Sequence, residues 1–363
     1  MSVISQKVIR EKLELLVKST DSILYNKDVN NNMARLKPLA GDNPESYRYW
    51  EWPQGVQLFG LWKLYEKEKN SAYLDILEKY YKDRLADSLP ARNVNTTTPM
   101  LALSYLAEYT GNKAYMDLCA DWAKWIMEEM TRTEERGLQH IVVDRPNTGE
   151  LWDDTLFVAV LFLANMGRIL RRNDYLEEAA YQFMIHTKYL ADKKTGLWFH
   201  GFTFEGRHNF VNALWARGNC WITMAIPIFL EIARPSAAVF NFLQSTLEQQ
   251  VKALIPLQDK SGLWHTVLPD PSSYLETSAT SGFGYGILKG IHDRILPEKY
   301  RSAAEAALEA TINQIDENGV VQNVSAGTPM GRDSVDFYKN ISIRPMPYGQ
   351  SLALLILIES LGY

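Results

Sequence analysis

Thr155-Leu-Phe-Val-Ala-Val-Leu-Phe-Leu-Ala-Asn-Met-Gly-Arg-Ile-Leu-Arg171 is apolar on almost every side as far as Ala164, then turns smaller and more polar. A surface helix shows one apolar stripe and one polar face, whereas a helix apolar all round is buried on all sides. Leu352–Leu361 has the same character. Leu74–Leu85, Met116–Met130 and Arg301–Ile315 instead mix Lys, Glu and Asp with apolar residues, the pattern of helices with one wet side. Two punctuating elements recur. A short Tyr-bearing turn opens amphipathic segments at Tyr73, Tyr115, Tyr175 and Tyr300, and a Gly turn recurs at Gly137, Gly196, Gly262 and Gly319. Successive Gly turns lie about 60 residues apart, near the length of a helix pair with its loops. A chain of 363 residues holds about six such units. Buried and amphipathic helices alternating in this way predict two concentric rings: one all-α domain over residues 1–363, an (α/α)6 barrel or six-hairpin toroid. An open helical solenoid is the alternative. It would leave more surface wet, so the all-round apolar helices favour closure.

Composition narrows the function classes. Apolar residues make up 46% and charged residues 22%, which suits a large core and excludes disorder as the main state. The longest apolar run, Leu156–Ala164, falls far short of the ~18 residues of a membrane span. The N-terminal MSVISQKVIREKLELL carries charges throughout and has no apolar signal core, so a cytoplasmic protein is expected. A net charge of −5 argues against nucleic acid as a partner. Cys119 and Cys220 are too few for a disulfide framework and form no CxxC pair, so no structural zinc site is indicated. Ten Trp, 19 Tyr and 13 Phe would suit a sugar-binding cleft, although many must be core.

In a toroid the loops that enter the inner helices build one mouth. Glu150-Leu-Trp-Asp-Asp-Thr155 sets two adjacent carboxylates before the apolar helix. Asp and Thr are good N-caps, so capping and catalysis stand level here. A general acid at this place needs burial beside Trp152, and repulsion from the second carboxylate, to outweigh the helix dipole. Trp215-Ala-Arg217-Gly-Asn219-Cys-Trp221 brackets a guanidinium with two indoles. That set fits a sugar ring bearing a carboxylate, or equally a structural Arg stacked on core Trp. Gly218 weakens helix continuity, so this segment reads as a loop entering a helix. His140, His200 and His265 sit on or beside the Gly turns, too dispersed for a metal site, and no HExxH is present. His186, His208 and His292 read as structural. In Asn93-Val-Asn95-Thr-Thr-Thr98-Pro99 the spacing puts Thr98 at an N-cap and Pro99 in the first turn, with Asn95 able to reach the cavity. Two further aromatic loops are Tyr47-Arg-Tyr-Trp50-Glu-Trp52-Pro53 and Arg344-Pro-Met-Pro-Tyr348-Gly. No P-loop, Rossmann fingerprint or GxSxG element supports phosphate, NAD or serine-hydrolase chemistry.

Taken together, WDDTLFVAVLFLA, WARGNCW, YLETSATSGFGYGILKGI and the C-terminal VSAGTPMGRDSVDFYKNISIRPMPYGQSLALLILIES resemble the unsaturated rhamnogalacturonyl hydrolases, glycoside hydrolase family 105, and their sister unsaturated glucuronyl hydrolases of family 88. The resemblance implies an (α/α)6 barrel, no metal or organic cofactor, and an unsaturated oligosaccharide as partner. It implies removal of a 4,5-unsaturated uronic acid from the non-reducing end of lyase products, pectin fragments among them, by hydration of the C4–C5 double bond. It assigns Asp154 as the catalytic acid, Trp215, Arg217 and Trp221 as substrate-binding, and His200 as a substrate-contacting His. Trp52 and His140 join the expected substrate-binding set. Asn95 stands where the family often carries a second Asp, and there it becomes a hydrogen-bond donor to substrate. Cys220 replaces a usual Gly and is expected to narrow the pocket. Another α-toroid sugar enzyme (an epimerase or ordinary glycosidase) and a non-catalytic glycan-binding toroid are the alternatives. The aglycone and the oligomeric state are not legible.

Overall fold

Helices carry the chain, and their burial follows the alternation in the sequence. The computed structural model describes residues 4–25, 37–327 and 329–362. The helices are α1 (Gln6–Lys18), α2 (Thr20–Leu24), α3 (Trp52–Glu68), α4 (Ser71–Ala86), α5 (Val94–Thr110), α6 (Lys113–Glu128), α7 (Leu161–Leu170) and α8 (Asn173–Leu190). They continue with α9 (Ala216–Ala233), α10 (Ala237–Leu254), α11 (Thr277–His292), α12 (Arg301–Asn313), α13 (Asp336–Lys339) and α14 (Pro347–Glu359). Two short antiparallel ribbons sit in the connections. One pairs β1 (Glu150–Trp152) with β2 (Gly201–Thr203), the other β3 (Trp264–His265) with β4 (Leu275–Glu276).

The all-round apolar helices pack on one another. α3 meets α5, α5 meets α7, α7 meets α9, α9 meets α11, α11 meets α14, and α14 returns to α3, so this circuit closes. α11 is buried from Thr277 to Ile291 and α14 from Tyr348 to Ile358. The stretch Leu156–Gly167 is buried throughout, as its composition requires. The amphipathic helices lie outside: α4 on α3, α6 on α5, α8 on α7, α10 on α9, α12 on α11 and α1 on α14. They bury one face only; in α4 that face is Leu77, Tyr80 and Tyr81. One contiguous apolar core runs from Ile9 to Leu361.

The recurrent Gly turn explains itself in this packing. Gly196, Gly262 and Gly319 have φ of +87°, +86° and +78°, the left-handed region that costs other residues. Each lies against the backbone of the next outer helix: at Gln249 of α10, Ala306 of α12 and Leu15 of α1. The last contact joins the final outer helix of the series to the first. At the fourth turn Arg136, not Gly137, takes the positive φ.

One helix start differs from the sequence reading. Asn93, not Thr98, caps α5: Asn93 Oδ1 accepts from Thr96 N at 3.0 Å and Thr96 Oγ1 accepts from Asn93 N at 2.8 Å. This reciprocal box satisfies the first free amides a turn early. Pro99 therefore lies inside the helix, where it has no N–H to donate. No helix among the described residues is long and apolar enough to cross a membrane.

Gly262→Ala is expected to destabilise the protein by about 2–3 kcal/mol, because the methyl group meets the Ala306 carbonyl while φ stays positive. A urea midpoint lowered with unchanged slope checks it.

Candidate active site

The β1–β2 ribbon fixes the approach to α7. Asp153 N donates to the His200 carbonyl at 3.1 Å. The chain then enters a wide π-type turn, Leu156–Val160, in which the amides of Phe157 and Val158 both donate to the Asp154 carbonyl at 3.0 Å. Such turns are rare in regular helices and recur at functional positions. Asp154 lines a cavity of about 370 Å³ together with Trp52, Asn95, His140, Trp215, Arg217 and Trp221. That volume falls in the range of small-molecule sites, roughly 300–1,000 Å³.

Capping does not account for the carboxyl pair. No side chain caps the turn that opens at Thr155. The Thr155 hydroxyl is 2.8 Å from His140 Nδ1. Asp153 is wholly buried and neither of its oxygens has a hydrogen-bond partner. Its carboxyl lies on the Cα of Gly218, in the first turn of α9, where any Cβ would collide with it. Gly218 thus serves contact with Asp153 inside the helix and does not interrupt it. Burial, then the neighbouring Asp154 charge, push the Asp153 carboxyl well above the usual range.

Asp154 keeps 21% of its side chain exposed. Burial pushes its carboxyl up to about 7, against the opposing pull of the Asp154 and Thr155 amides and of Arg217. Its Oδ1 lies 3.3 Å from His140 Nδ1 but has no hydrogen-bond partner. Burial holds the His140 imidazole down to about 3, so it is neutral and forms no ion pair. Its ring stacks on Trp152 at 4.3 Å and 5°.

Arg217 is held between the rings of Trp215 and Tyr348, 4.7 Å from each. Nη1 donates to the Ser325 carbonyl and hydroxyl at 3.0 and 2.6 Å, and Nη2 to the Ala326 carbonyl at 3.2 Å. Glu276 Oε1 stands 3.8 Å away and accepts from Ser325 N at 2.9 Å. The guanidinium therefore fastens the 325–326 backbone to the cavity wall. Trp52 leans on Tyr348 at 4.7 Å and meets Trp221 edge-on at 6.0 Å.

His200 is the one expected site residue that does not line the cavity. It lies behind the wall, 4.5 Å from the Trp215 ring and 5.2 Å from Trp152, with Nδ1 2.7 Å from the Tyr338 hydroxyl. His265 turns to the Ser273 carbonyl. The three turn histidines are thus not brought to one surface. Cys220 does not narrow the pocket: its side chain is fully buried and packs on Gly282 of α11. The residue type at 220 is set by helix contact, because position 220 faces away from the mouth.

Sequence reasoning missed Glu51 and Glu276. Glu51 lines the cavity, is 2% exposed and forms a capping box with Gln54 at the start of α3. Burial pushes its carboxyl up to about 8, with the Trp52 amide and the Asn95 side chain pulling down. The available signal was an acid placed directly before Trp-Pro at a helix start. Among the described residues, no three His, Cys, Asp or Glu side chains converge as metal ligands.

The model of Glycosyl Hydrolase Family 88 matches residues 25–363. The chain belongs to glycosyl hydrolase family 88. It is 33% identical over 319 residues to the unsaturated rhamnogalacturonyl hydrolase YesR of Bacillus subtilis, covering 86% of this chain and 90% of that one. A solved structure described as a possible member of the GH105 family, from Klebsiella pneumoniae, is 41% identical with a TM-score of 0.92 over 99% of this chain and 94% of that one. The unsaturated glucuronyl hydrolase of Bacillus sp. GL1 shares the fold at 15% identity, with a TM-score of 0.72 over 97% and 96% of the two chains.

In this family 88 chain the raised Asp154 carboxyl has a stability consequence. The folded state holds its proton to about pH 7, whereas an unfolded Asp releases it near 4. Between those values the folded state binds more protons, so stability falls as pH rises. Asp154→Asn is therefore expected to be more stable than the parent at pH 8, by up to roughly 4 kcal/mol, with the difference closing toward pH 4. Urea titrations of both proteins at pH 4, 6 and 8 measure it.

Proposed function

We propose that this chain removes a 4-deoxy-4,5-unsaturated uronic acid from the non-reducing end of lyase-made oligosaccharides by hydrating the C4–C5 double bond, within a single (α/α)6-barrel domain. The barrel reading rests on the closed helix circuit and its outer partners. The activity reading rests above all on Asp154: an uncapped carboxyl at the cavity surface, protonated up to about pH 7. The named activities of the relatives support the same substrate class.

The terminal sugar is an enol ether, so its C4 is nucleophilic. The C4–C5 electron pair takes the Asp154 proton at C4. The ring oxygen shares the resulting positive charge at C5. Water adds at C5 and returns one proton to the Asp154 carboxylate, restoring the acid. The hemiketal opens to a C5 ketone, and the hemiacetal left at C1 expels the glycan as an alcohol. Direct displacement at the anomeric carbon is not involved, so the carboxylate spacing rules of ordinary glycosidases do not apply. Trp52, Trp215 and Trp221 supply faces for the sugar ring, and Asn95 and His140 supply polar contacts. Arg217 contributes positive charge toward the uronate while anchoring the 325–326 backbone. His200 acts from behind, holding Trp215 through ring contact.

The test is loss of ultraviolet absorbance from a lyase-made unsaturated disaccharide. Asp154→Asn is expected to lower the rate by about 10²–10⁴-fold with the fold intact. In the parent, kcat/KM should fall tenfold per pH unit above about pH 7, as the acid form is lost. Retained activity in Asp154→Asn, or turnover of saturated glycosides, contradicts the reading.

A further inference from the structure

The cavity that holds Asp154 opens at the starts of the inner helices. A second cavity, of about 390 Å³, opens at their other ends, among the last turns of α3, α5, α7 and α9. Trp52 lines the first and Tyr65 the second, about 20 Å apart along the same helix. The chemistry above makes no use of this second cavity.

One wall of it is aromatic. Trp62 and Tyr105 stack with ring centres 5.6 Å apart at 15°. Tyr109 meets Trp62 edge-on at 6.0 Å, and its hydroxyl is 2.5 Å from that of Tyr65. Tyr109 is 55% exposed, so part of its ring is open to a ligand. Tyr105 is only 8% exposed, yet it lines the cavity and its hydroxyl has no hydrogen-bond partner among the described residues.

The charges around the cavity are unequally paired. Its acids are all held: Glu66 by Lys63 at 2.8 Å, Glu231 by Lys289 at 2.8 Å, and Glu108 by Arg168, which donates to both oxygens at 2.9 and 2.5 Å. Two exposed cations are left over. Arg234 has no side-chain partner among the described residues, and Lys69 has the Tyr65 ring alone, 5.4 Å away. Each is the C-cap of its helix, with φ of +42° and +54°. A cation there also offsets the negative end of the helix dipole. That effect needs neither a cavity nor an aromatic wall. The groups that lack partners are therefore all donors, two of them charged, and their complement is an anionic acceptor. The aromatic wall adds a place for a ring, and the Glu108–Arg168 pair presents polar edges to hydroxyl groups. The volume is close to the 370 Å³ of the Asp154 cavity, room for one sugar ring.

We infer that this second cavity binds a one-ring sugar acid, its ring against Tyr109, its carboxylate on Arg234 and Lys69, and the Tyr105 hydroxyl donating to it. The inference stands apart from the reaction at Asp154.

Calorimetric titration of the whole protein with galacturonate, galactose and benzoate tests it. Galacturonate is expected to bind about tenfold or more tightly than either of the others, the scale of one charge-assisted hydrogen bond. Arg234→Gln and Tyr109→Ala alter exposed side chains and should each weaken galacturonate about tenfold, with the melting temperature held. Any galacturonate that enters the Asp154 cavity is untouched by these two variants, so the loss they cause reports the second cavity alone. Absence of galacturonate binding, or an unchanged affinity in either variant, overturns the inference. Galactose binding as tightly as galacturonate removes the carboxylate from it, and benzoate binding as tightly removes the sugar; either result overturns it.

Discussion

A carboxylic acid keeps its proton at neutral pH only where water is scarce, and that scarcity is what the ring of helices supplies. α14 packs back onto α3, and the inner helices together bury the start of α7. Two adjacent carboxyl groups share that wall, Asp153 fully buried and Asp154 at the cavity. Asp153, with no partner for either oxygen, lies against the bare Cα of Gly218. Asp154 faces the cavity beside a neutral imidazole that cannot draw its proton off. A charged histidine or a properly formed N-cap at the same spot would hold the carboxylate ionised instead.

The rim of the cavity depends on the C-terminal part of the chain. Glu276 accepts from Ser325 N, Tyr348 donates through its hydroxyl to the Ser325 carbonyl, and Arg217 donates to that same carbonyl. Tyr338 takes His200 on one side and the Gly331 amide on the other. Arg332 reaches Glu150, whose Oε2 accepts from Trp152 Nε1 at 2.9 Å. Residues far apart in sequence thus fix the indoles that line the cavity.

What could be read beforehand follows from physics with a short range. The all-round apolar character of 155–171 and the repeated Gly turn reported helix burial and helix spacing, because both are properties of one segment and its next neighbour. Seven of the eight expected site residues line one cavity, and all of these but His140 sit at or near the starts of inner helices. His200 escaped because which side of a ribbon faces the cavity is set by strand pairing with β1, which no local pattern encodes. Cys220 was misread because one residue along a helix turns a side chain by about 100°. Pro99 misled because a capping box upstream outcompeted it. The committed donors of Arg217 depend on contacts between distant segments, and so only the folded chain reveals them.

The most direct measurement is to run the reaction in D2O on a lyase-made unsaturated disaccharide and to examine C4 of the released uronate by NMR at early times. Proton delivery from one fixed carboxyl predicts a single deuterium at C4, on one face only, appearing in step with loss of the double bond. A released sugar that still holds its C4–C5 double bond, or C4 labelled equally on both faces from the first turnovers, would contradict the account.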